Sequence, residues 1–367
     1  MKIIRSLSRI VVSLVFIFSG TVKAIDPLGS AYKFHDYFQA FHLGFLDRLS
    51  LPLAILLCTT EFIAGFSILT GIKWKTGLII VMILMFIFTP LTFVLALTNP
   101  VSDCGCFGDA LHLTNWQTFW KNVILLAAVI VLFRGSVQAK EPFKASTGWV
   151  VISSAGVLFI LFAIFNIRYL PVIDFLPYKT GVKIADKMIV PSDAPADIYE
   201  TTFIYEKDGN KKEFSLNNYP ANDTSWKFVD QKSVLVRKGY KPPIHDFSIT
   251  GSDGEDLTQK VLSNQGYTLL MISKKLKEAD NKKLAEGFEL GRYCAGIGID
   301  FLILTSSGSE ELKRYDNGLK FCSTDETTLK TMIRANPGYM LLKEGTIIGK
   351  WSYAGCPENE WFVQLVK

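Results

Sequence analysis

The sequence lacks the patterns that several common classes of protein need. Only 6 cysteines and 4 histidines occur in 367 residues, and none form a Cys-x-x-Cys pair or the paired Cys/His spacing of a structural zinc site. Lysine and arginine are scattered, and the net charge is only +5, so nothing indicates a nucleic-acid partner. The cysteines are therefore left for redox chemistry or for burial.

Charge is almost absent from long runs within the first 170 residues. A helix needs ~20 apolar residues to cross a hydrocarbon core of ~30 Å, and five runs of about this kind occur, at about 10–25, 51–70, 76–97, 116–133 and 148–165. Residues 27–46 mix aromatic and charged side chains, which predicts an interfacial helix in contact with the lipid bilayer. The basic start and Val22-Lys23-Ala24 also imitate a cleavable signal peptide, but Lys23 and the later spans favour a retained first span.

The basic loops predict the orientation of these spans. The N-terminus, the turn at 71–75 and the loop with Lys140 and Lys144 fall on one side of a five-span arrangement, and short basic loops stay cytoplasmic. We therefore expect a bacterial-type inner-membrane protein with a cytoplasmic N-terminus. The 99–115 loop and everything after residue 170 would lie in the periplasm, where thiols meet an oxidising compartment.

The loop between the third and fourth spans contains the most informative stretch, SDCGCFGD. Glycine between Cys104 and Cys106 permits the backbone dihedrals that a short ring through both sulfurs needs, and a strained, exposed disulfide is exchangeable. A structural disulfide or two unpaired thiols fit the spacing equally well. A metal site would instead recruit Asp103, Asp109 or His112 as further ligands.

Glu61 lies inside the second span, where an unpaired ionisable group costs several kcal/mol, so it is a functional candidate. It would either transfer protons or pair with Lys23 of the first span. Cys58 precedes Glu61 by three residues, which predicts a shared helical face, ~10 Å from the outer end of the span at 1.5 Å per residue. Cys58 could thus relay electrons toward Cys104 or Cys106, or simply be a small buried side chain.

Three groups of residues in the first ~135 positions form a recognisable set. They are Phe18-Ser19-Gly20 with Lys23, then Glu61 and Gly65 followed by Leu69 and Gly71, and finally CGCFGD after the third span. Together they resemble the DoxX/MauE group of redox-associated membrane proteins. The MauE branch is thought to handle periplasmic disulfides for a partner protein, and DoxX proper is linked to quinone-coupled sulfur oxidation. The resemblance implies redox traffic with an envelope thiol protein, and a quinone as the candidate cofactor; the residues themselves identify none.

The remaining chain has ordinary soluble composition and predicts two further parts. A hairpin at 199–216 with a turn at Asp208-Gly209 begins a β-rich linker region over 171–239. Strands and helices then alternate, which predicts an α/β domain over 240–367. The predicted fold class is a multi-domain membrane protein: a four-helix membrane domain over 1–135, a cytoplasmic loop and fifth transmembrane helix over 136–170, the linker and the α/β domain.

The segment ANPGYMLLKEGTIIGKW resembles the cis-proline, strand and hairpin signature of thioredoxin-like domains, with Pro337 as the cis residue. In that family the proline loop faces a Cys-x-x-Cys pair after the central strand. Here the strand at 268–273 is followed by lysines and no cysteine, which departs from the family pattern. The three remaining cysteines could exchange with the loop, form a structural disulfide or be inert; they are Cys294, Cys322 and Cys356.

Two functions from different classes follow. In the first, Cys104 and Cys106 relay thiol–disulfide equivalents to an envelope partner, supported by Cys58 or Glu61. The auxiliary residues of that relay would be Lys23, Asp109, Cys322 and Pro337. In the second, the protein is a non-catalytic scaffold whose thioredoxin-like domain binds an envelope protein. A third hypothesis is a metal or haem accessory using the loop cysteines and His112.

Overall fold

The computed structural model describes residues 2–101, 103–135, 141–221, 223–237, 239–315 and 318–366; the predicted loop residue Lys140 lies outside them. The helices are α1 Lys2–Ile25, α2 Pro27–Ala40, α3 Ser50–Thr70, α4 Trp74–Thr98, α5 Asn115–Arg134, α6 Ala145–Tyr169, α7 Ile184–Met188, α8 Thr258–Leu262, α9 Asn281–Gly296, α10 Ser309–Leu312, α11 Glu326–Met332 and α12 Asn359–Val366. The strands are β1 Ile198–Lys207, β2 Asn210–Ser215, β3 Lys227–Arg237, β4 Thr250–Gly251, β5 Tyr267–Ile272, β6 Asp300–Thr305, β7 Phe321–Ser323, β8 Gly338–Lys343 and β9 Thr346–Ser352.

Among the described residues, five helices are long and apolar enough to cross a membrane, which confirms the predicted number. They are α1, α3, α4, α5 and α6. Helix α1 starts at Lys2, well before the predicted residue 10, because lysine and arginine are good helix formers even where they lower the hydropathy. An apolar window locates a span but not the end of its helix.

Helices α1, α3, α4 and α5 share one apolar core, and α6 packs on its edge. Close approach of α1 and α3 depends on two glycines: a Cβ built on Gly20 would lie 2.6 Å from the Cys58 carbonyl oxygen, and one on Gly65 would lie 2.7 Å from the Ser13 carbonyl oxygen. Small residues of this kind let membrane helices approach backbone to backbone. Phe159 of α6 packs in a smaller cluster with Cys58.

Helix α2 lies at the end of the bundle where α1 stops. Asp26 caps its first turn by accepting a 2.8 Å hydrogen bond from the Gly29 amide, and Pro27 occupies the first turn, the usual arrangement for a helix start. The interfacial helix predicted over 27–46 is α-helical as far as Ala40, and a 3-10 helix follows over Gly44–Leu49.

The C-terminal residues form a six-stranded sheet in the order β4-β7-β6-β5-β8-β9. Strands β5, β6 and β7 run parallel, and β8 and β9 are antiparallel to their neighbours. The central strand β5 is buried over Thr268–Ile272, as expected for a strand covered on both faces. The Asn336–Pro337 peptide bond, directly before β8, is cis, which confirms the predicted conformation of Pro337.

Residues 182–247 form a compact unit of their own, and residues 1–181 group with 248–367. The small unit holds the three-stranded sheet β2-β1-β3, which confirms the predicted hairpin and adds β3. Its limits differ from the predicted 171–239 for a local reason. The Gly181 amide donates to Ile347 of β9, at 2.7 Å, whereas the Ile244 amide donates to Lys187, at 3.2 Å.

Candidate functional site

A cavity of about 120 Å³ lies among α1, α3, α4 and α5, beneath α2 and the loop after α4. Half of the residues that line the cavity are apolar or glycine, and the other half are polar or carry a thiol. Four of the predicted site residues meet there: Lys23, Glu61, Cys104 and Cys106. The other polar lining residues are Ser19, Ser30, Lys33, Tyr37, Lys121 and Asn122.

The inner polar wall of the cavity is a buried ion pair between α1 and α3. Lys23 Nζ lies 2.9 and 2.7 Å from the two carboxylate oxygens of Glu61, and the two residues are 5 % and 3 % exposed. Lys23 also donates to Ser19 Oγ at 2.7 Å, and Ser19 Oγ lies 2.8 Å from the Cys106 carbonyl oxygen. The predicted pairing of Glu61 with Lys23 is therefore present; a proton-transfer role for Glu61 stays a prediction.

Contacts with α2 hold the Cys-Gly-Cys loop in place. Lys33 Nζ lies 2.9 Å from Asp103 Oδ2, and the Tyr37 hydroxyl donates to the Cys104 carbonyl oxygen at 2.6 Å. Asp103 in turn accepts a hydrogen bond from the Gly105 amide at 2.9 Å. Gly105 has a φ of +65°, a conformation that glycine adopts without the steric penalty of a Cβ. These contacts present both cysteine side chains to the cavity.

The two thiols form a close, electrostatically asymmetric pair. Their sulfur atoms lie 3.0 Å apart, and both cysteines are free. A hydrogen bond from Cys104 lowers the pKa of Cys106 to about 6 against the effect of burial, and the Lys121 ammonium lowers it further. The same hydrogen bond, together with burial, raises the pKa of Cys104. These opposite shifts make Cys106 the more readily ionised of the two thiols, and the thiolate is the reactive form of cysteine.

Lys121 of α5 should set the reactivity of this thiolate. Replacing Lys121 by methionine removes a cation that favours the charged form, so the pKa of Cys106 should rise by up to roughly one unit. At pH 7 the ionised fraction of Cys106 would then fall by no more than about twofold, whereas near pH 5 it would fall by up to roughly tenfold, so alkylation by iodoacetamide should slow mainly at acidic pH. The measurement is the alkylation rate of the Cys106 peptide by mass spectrometry between pH 4.5 and 9.

A matched control for this variant is Lys75→Met. Lys75 is an exposed lysine near the start of α4, and α4 leads to the cysteine loop only at its other end. Its replacement should leave the alkylation midpoint of Cys106 unchanged. An unchanged midpoint in Lys121→Met as well would show that Lys121 does not stabilise the thiolate.

Cys58 lies away from this cavity. Its Sγ donates to the Ile55 carbonyl oxygen at 3.2 Å, and it packs with Ala24, Phe159 and Ala163. It is missing from the described residues that line the cavity. Three residues along a helix turn through about 300°, so Cys58 and Glu61 diverge by about 60° and face different neighbours. The predicted relay through Cys58 therefore gains no support from its position.

The C-terminal cysteines are held in or against the core of their own domain. Cys294 and Cys322 are buried, and Cys356 is half-buried against the cluster that contains Cys294. Burial raises the pKa of Cys294 and of Cys356 to about 12 and that of Cys322 to about 11, which makes them poor nucleophiles near neutral pH. Within the described part of the chain, no group of three side chains is arranged to hold a metal ion.

The C-terminal domain contacts the same end of the bundle through two cations. Arg334, in the loop before the cis-proline, donates to Asp26 at 2.8 Å and to Asp109 at 2.5 Å. Lys274, close after β5, donates to the Tyr32 hydroxyl at 2.5 Å. Burial, with the neighbouring Arg334, lowers the pKa of Lys274 to about 7. The face that carries the proline loop therefore lies on α2 and the Cys-Gly-Cys loop.

Four residues of this site were not predicted from the sequence: Arg334, Lys121, Tyr37 and Lys274. Asp109 was predicted as an auxiliary residue, but its partner Arg334 lies 225 positions away in a loop without a recognisable motif. Lys121 looks like any lysine near the start of a membrane helix, and Tyr37 like one aromatic residue among many. A usable signal existed for Lys274, because it stands where the resemblance would have placed a cysteine.

Comparison with known families covers two parts of the chain. Residues 1–135 match the family described as Methylamine utilisation protein MauE, and residues 199–238 match the family described as Domain of unknown function (DUF8463). No curated protein and no solved structure matches the chain. The first match covers the four helices around the cavity and the cysteine loop. Together with the apolar helices, it shows that residues 1–135 are similar to the MauE family of membrane proteins.

Proposed function

We propose that this protein is an inner-membrane thiol–disulfide exchange protein in which Cys104 and Cys106 form the exchanging pair. The observation that carries the proposal is the pair itself: two free sulfurs 3.0 Å apart in a loop fixed to α2. The MauE match supports a membrane accessory role. The basic loops support a periplasmic position for the pair, where an envelope protein would be its partner.

The pair exchanges with a partner in two steps. The Cys106 thiolate attacks a disulfide of the partner, a mixed disulfide forms, and one partner sulfur leaves as a thiolate that takes up a proton. The Cys104 thiol then loses its proton and attacks the Cys106 sulfur, which closes the Cys104–Cys106 disulfide and releases the second partner thiolate. Two electrons have then passed to the partner, and its two thiolates take up one proton lost by Cys104 and one from solvent. The reverse sequence oxidises a partner dithiol.

The cavity contributes a fixed electrostatic setting for these steps. Lys121 faces the Cys106 thiolate, and the Ser19–Lys23–Glu61 network meets the Cys106 backbone through its carbonyl oxygen. Because these groups are held in place before the reaction, they need no reorganisation as charge moves between sulfurs. The direction of exchange is set by the reduction potential of the partner relative to that of the pair.

In this proposal, the C-terminal residues form a thioredoxin-like domain that docks on the membrane bundle and takes no part in the redox chemistry. The order and directions of β5 to β9 and the cis Asn336–Pro337 bond support the resemblance. Lys274 stands where that family has a redox cysteine. The scaffold hypothesis would use this face to bind an envelope protein, but the face contacts α2 of the same chain.

The proposal predicts that Cys104→Ser traps the partner. With its resolving thiol removed, Cys106 should remain joined to the partner in a mixed disulfide that non-reducing gels resolve and mass spectrometry identifies. Cys106→Ser should trap at least tenfold less, because the thiolate is lost. The double variant should change the redox state of the trapped protein in an alkylation-shift assay.

Cys58→Ser is the matched control, because Cys58 is buried in α3 away from the cavity. It should behave as the parent protein in both assays. If Cys104→Ser traps nothing and the double variant leaves every envelope thiol protein in its normal redox state, the proposed exchange is wrong. A stoichiometric partner that co-purifies with the cysteine-free chain would favour the scaffold function instead.

A further inference from the structure

Arg334 joins two segments of the bundle that are distant in sequence. Asp26 lies between α1 and α2, and Asp109 follows Cys106 by three residues. The side chains of Arg334 and Asp26 are each 5 % exposed, and that of Asp109 is 19 % exposed. A planar guanidinium can hold two carboxylates in fixed directions, and breaking such a pair leaves an uncompensated buried charge.

The guanidinium is held rigidly on the C-terminal side. Its Nη1 donates to the Lys330 carbonyl oxygen of α11 at 2.5 Å. Asn336, two residues after Arg334, is held by the segment that follows β5. Ser273 Oγ donates to Asn336 Oδ1 at 2.9 Å, and Asn336 Nδ2 donates to the Lys275 carbonyl oxygen at 3.3 Å. Arg334 therefore moves with the C-terminal sheet and would leave Asp109 if that sheet moved away.

In the membrane bundle, the cysteine loop is anchored at both ends. Lys33 and Tyr37 of α2 hold Asp103 and Cys104 at its start, and Arg334 holds Asp109 at its end. Arg334 also holds Asp26, the residue that caps α2. It therefore connects the start of the helix that carries Lys33 and Tyr37 with the end of the loop that they orient.

From this arrangement we propose that Arg334 is a positioning residue for the thiol pair, through which docking of the C-terminal domain sets the reactivity of Cys104 and Cys106. The inference rests on the proposed exchange function and adds its regulation. Coupling of this kind is reciprocal. Formation of the Cys104–Cys106 disulfide, which changes the loop, would change the strength of docking, and release of the domain would change the equilibrium of the pair.

The test compares Arg334→Ala with Arg292→Ala, in full-length protein in detergent. Arg292 is an exposed arginine in α9 of the same domain. Two quantities are measured: the pH profile of Cys106 alkylation, and the fraction of Cys104–Cys106 disulfide in glutathione buffers of defined ratio. Arg334→Ala should change the alkylation rate at pH 7 at least threefold and the equilibrium constant with glutathione at least tenfold. Arg292→Ala should change neither.

The titratable and charged groups near Cys106 come from its own loop and four helices, and Arg334→Ala replaces none of them. They are Asp103, Cys104 and Asp109 of the loop, Lys23 of α1, Lys33 and Tyr37 of α2, Glu61 of α3 and Lys121 of α5. A shifted midpoint in Arg334→Ala thus reports the loss of the Arg334 contact with the loop. Alkylation of Cys356 serves as an internal reference, since it rises only if the C-terminal domain opens.

A second variant, Asp109→Asn, keeps the test decisive if Arg334→Ala fails to fold. It removes only the loop end of the contact and leaves the buried Arg334–Asp26 pair in place, and it should change both quantities at least twofold. By charge alone, loss of the Arg334 cation and loss of the Asp109 anion would move the Cys106 midpoint in opposite directions, so a shift of the same sign in both variants reports a moved loop. Values within twofold of the parent in Arg334→Ala, or in Asp109→Asn if Arg334→Ala does not fold, would overturn the proposal. Neither measurement needs an envelope partner, so the result is independent of whether Cys104→Ser traps one.

Discussion

Replacement of Gly20 by alanine should force α1 away from α3 and destabilise the membrane bundle. The added Cβ would lie 2.6 Å from the Cys58 carbonyl oxygen and 2.7 Å from the Phe62 amide nitrogen. Both are backbone atoms of a helix, which cannot turn aside as a side chain can. We expect a loss in the free energy of unfolding near the upper end of the ~1–3 kcal/mol that overpacking costs, measured by denaturant titration in detergent micelles.

Gly156→Ala is the matched control for this substitution. Gly156 also lies in a membrane helix, α6, but the nearest atom to its added Cβ is Ile63 Cδ1 at 3.8 Å, an ordinary van der Waals distance. Alanine there should be neutral or slightly stabilising, since it is the better helix former. Equal stability of the two variants would show that α1 and α3 are not held at backbone contact.

Removing one partner of the Lys23–Glu61 pair should cost still more. Glu61→Ala leaves the Lys23 ammonium without its carboxylate, in a position with a 6 % exposed side chain, and an uncompensated buried charge of this kind costs about 3–5 kcal/mol. The double variant Lys23→Met/Glu61→Leu should recover a large part of that loss, because it buries no charge. The same denaturant titration measures both.

The Lys73–Glu141 pair offers a contrasting control. Its Nζ–O distance is 3.3 Å, but the Glu141 side chain is 36 % exposed, so water screens the pair. Glu141→Ala should therefore change the free energy of unfolding by at most ~1 kcal/mol. If Glu61→Ala were as mild as Glu141→Ala, or if the double variant were less stable than Glu61→Ala, the buried pair would not hold α1 and α3 as described.

The sequence was most informative where a pattern repeats along a continuous segment. Long charge-free runs located five membrane helices, and the strand predicted at 268–273 lies within one residue of β5 at each end. Helices α1 and α4 are longer than their apolar windows. A window of high hydropathy ends at the first charged residues, whereas the helix continues through them. Strand β3 was missed because its polar residues, Asp230 to Ser233, break the apolar alternation.

The site was predicted in part, and the limit was the distance along the chain. Cys104 and Cys106 could be singled out as adjacent thiols, and Lys23 and Glu61 as ionisable groups at membrane depth. Cys58 was placed with Glu61 from spacing alone. In the structure Cys58 packs against α6, whereas Glu61 pairs with Lys23 of α1. Arg334 could not be connected with Asp109 at all, because a pairing across folded domains leaves no local pattern.

That pairing also dictates an order of events during biosynthesis. Asp109 is separated from Arg334 by 225 residues, and a ribosome that adds 5–20 residues per second needs roughly 11–45 s to make that length of chain. For that interval the membrane helices exist without the arginine that joins the cap of α2 to the end of the cysteine loop. In a newly made chain, the loop with Cys104 and Cys106 would thus lack its Arg334 contact until the C-terminal domain folds. An agent that oxidises nascent chains would meet the two thiols before that contact forms.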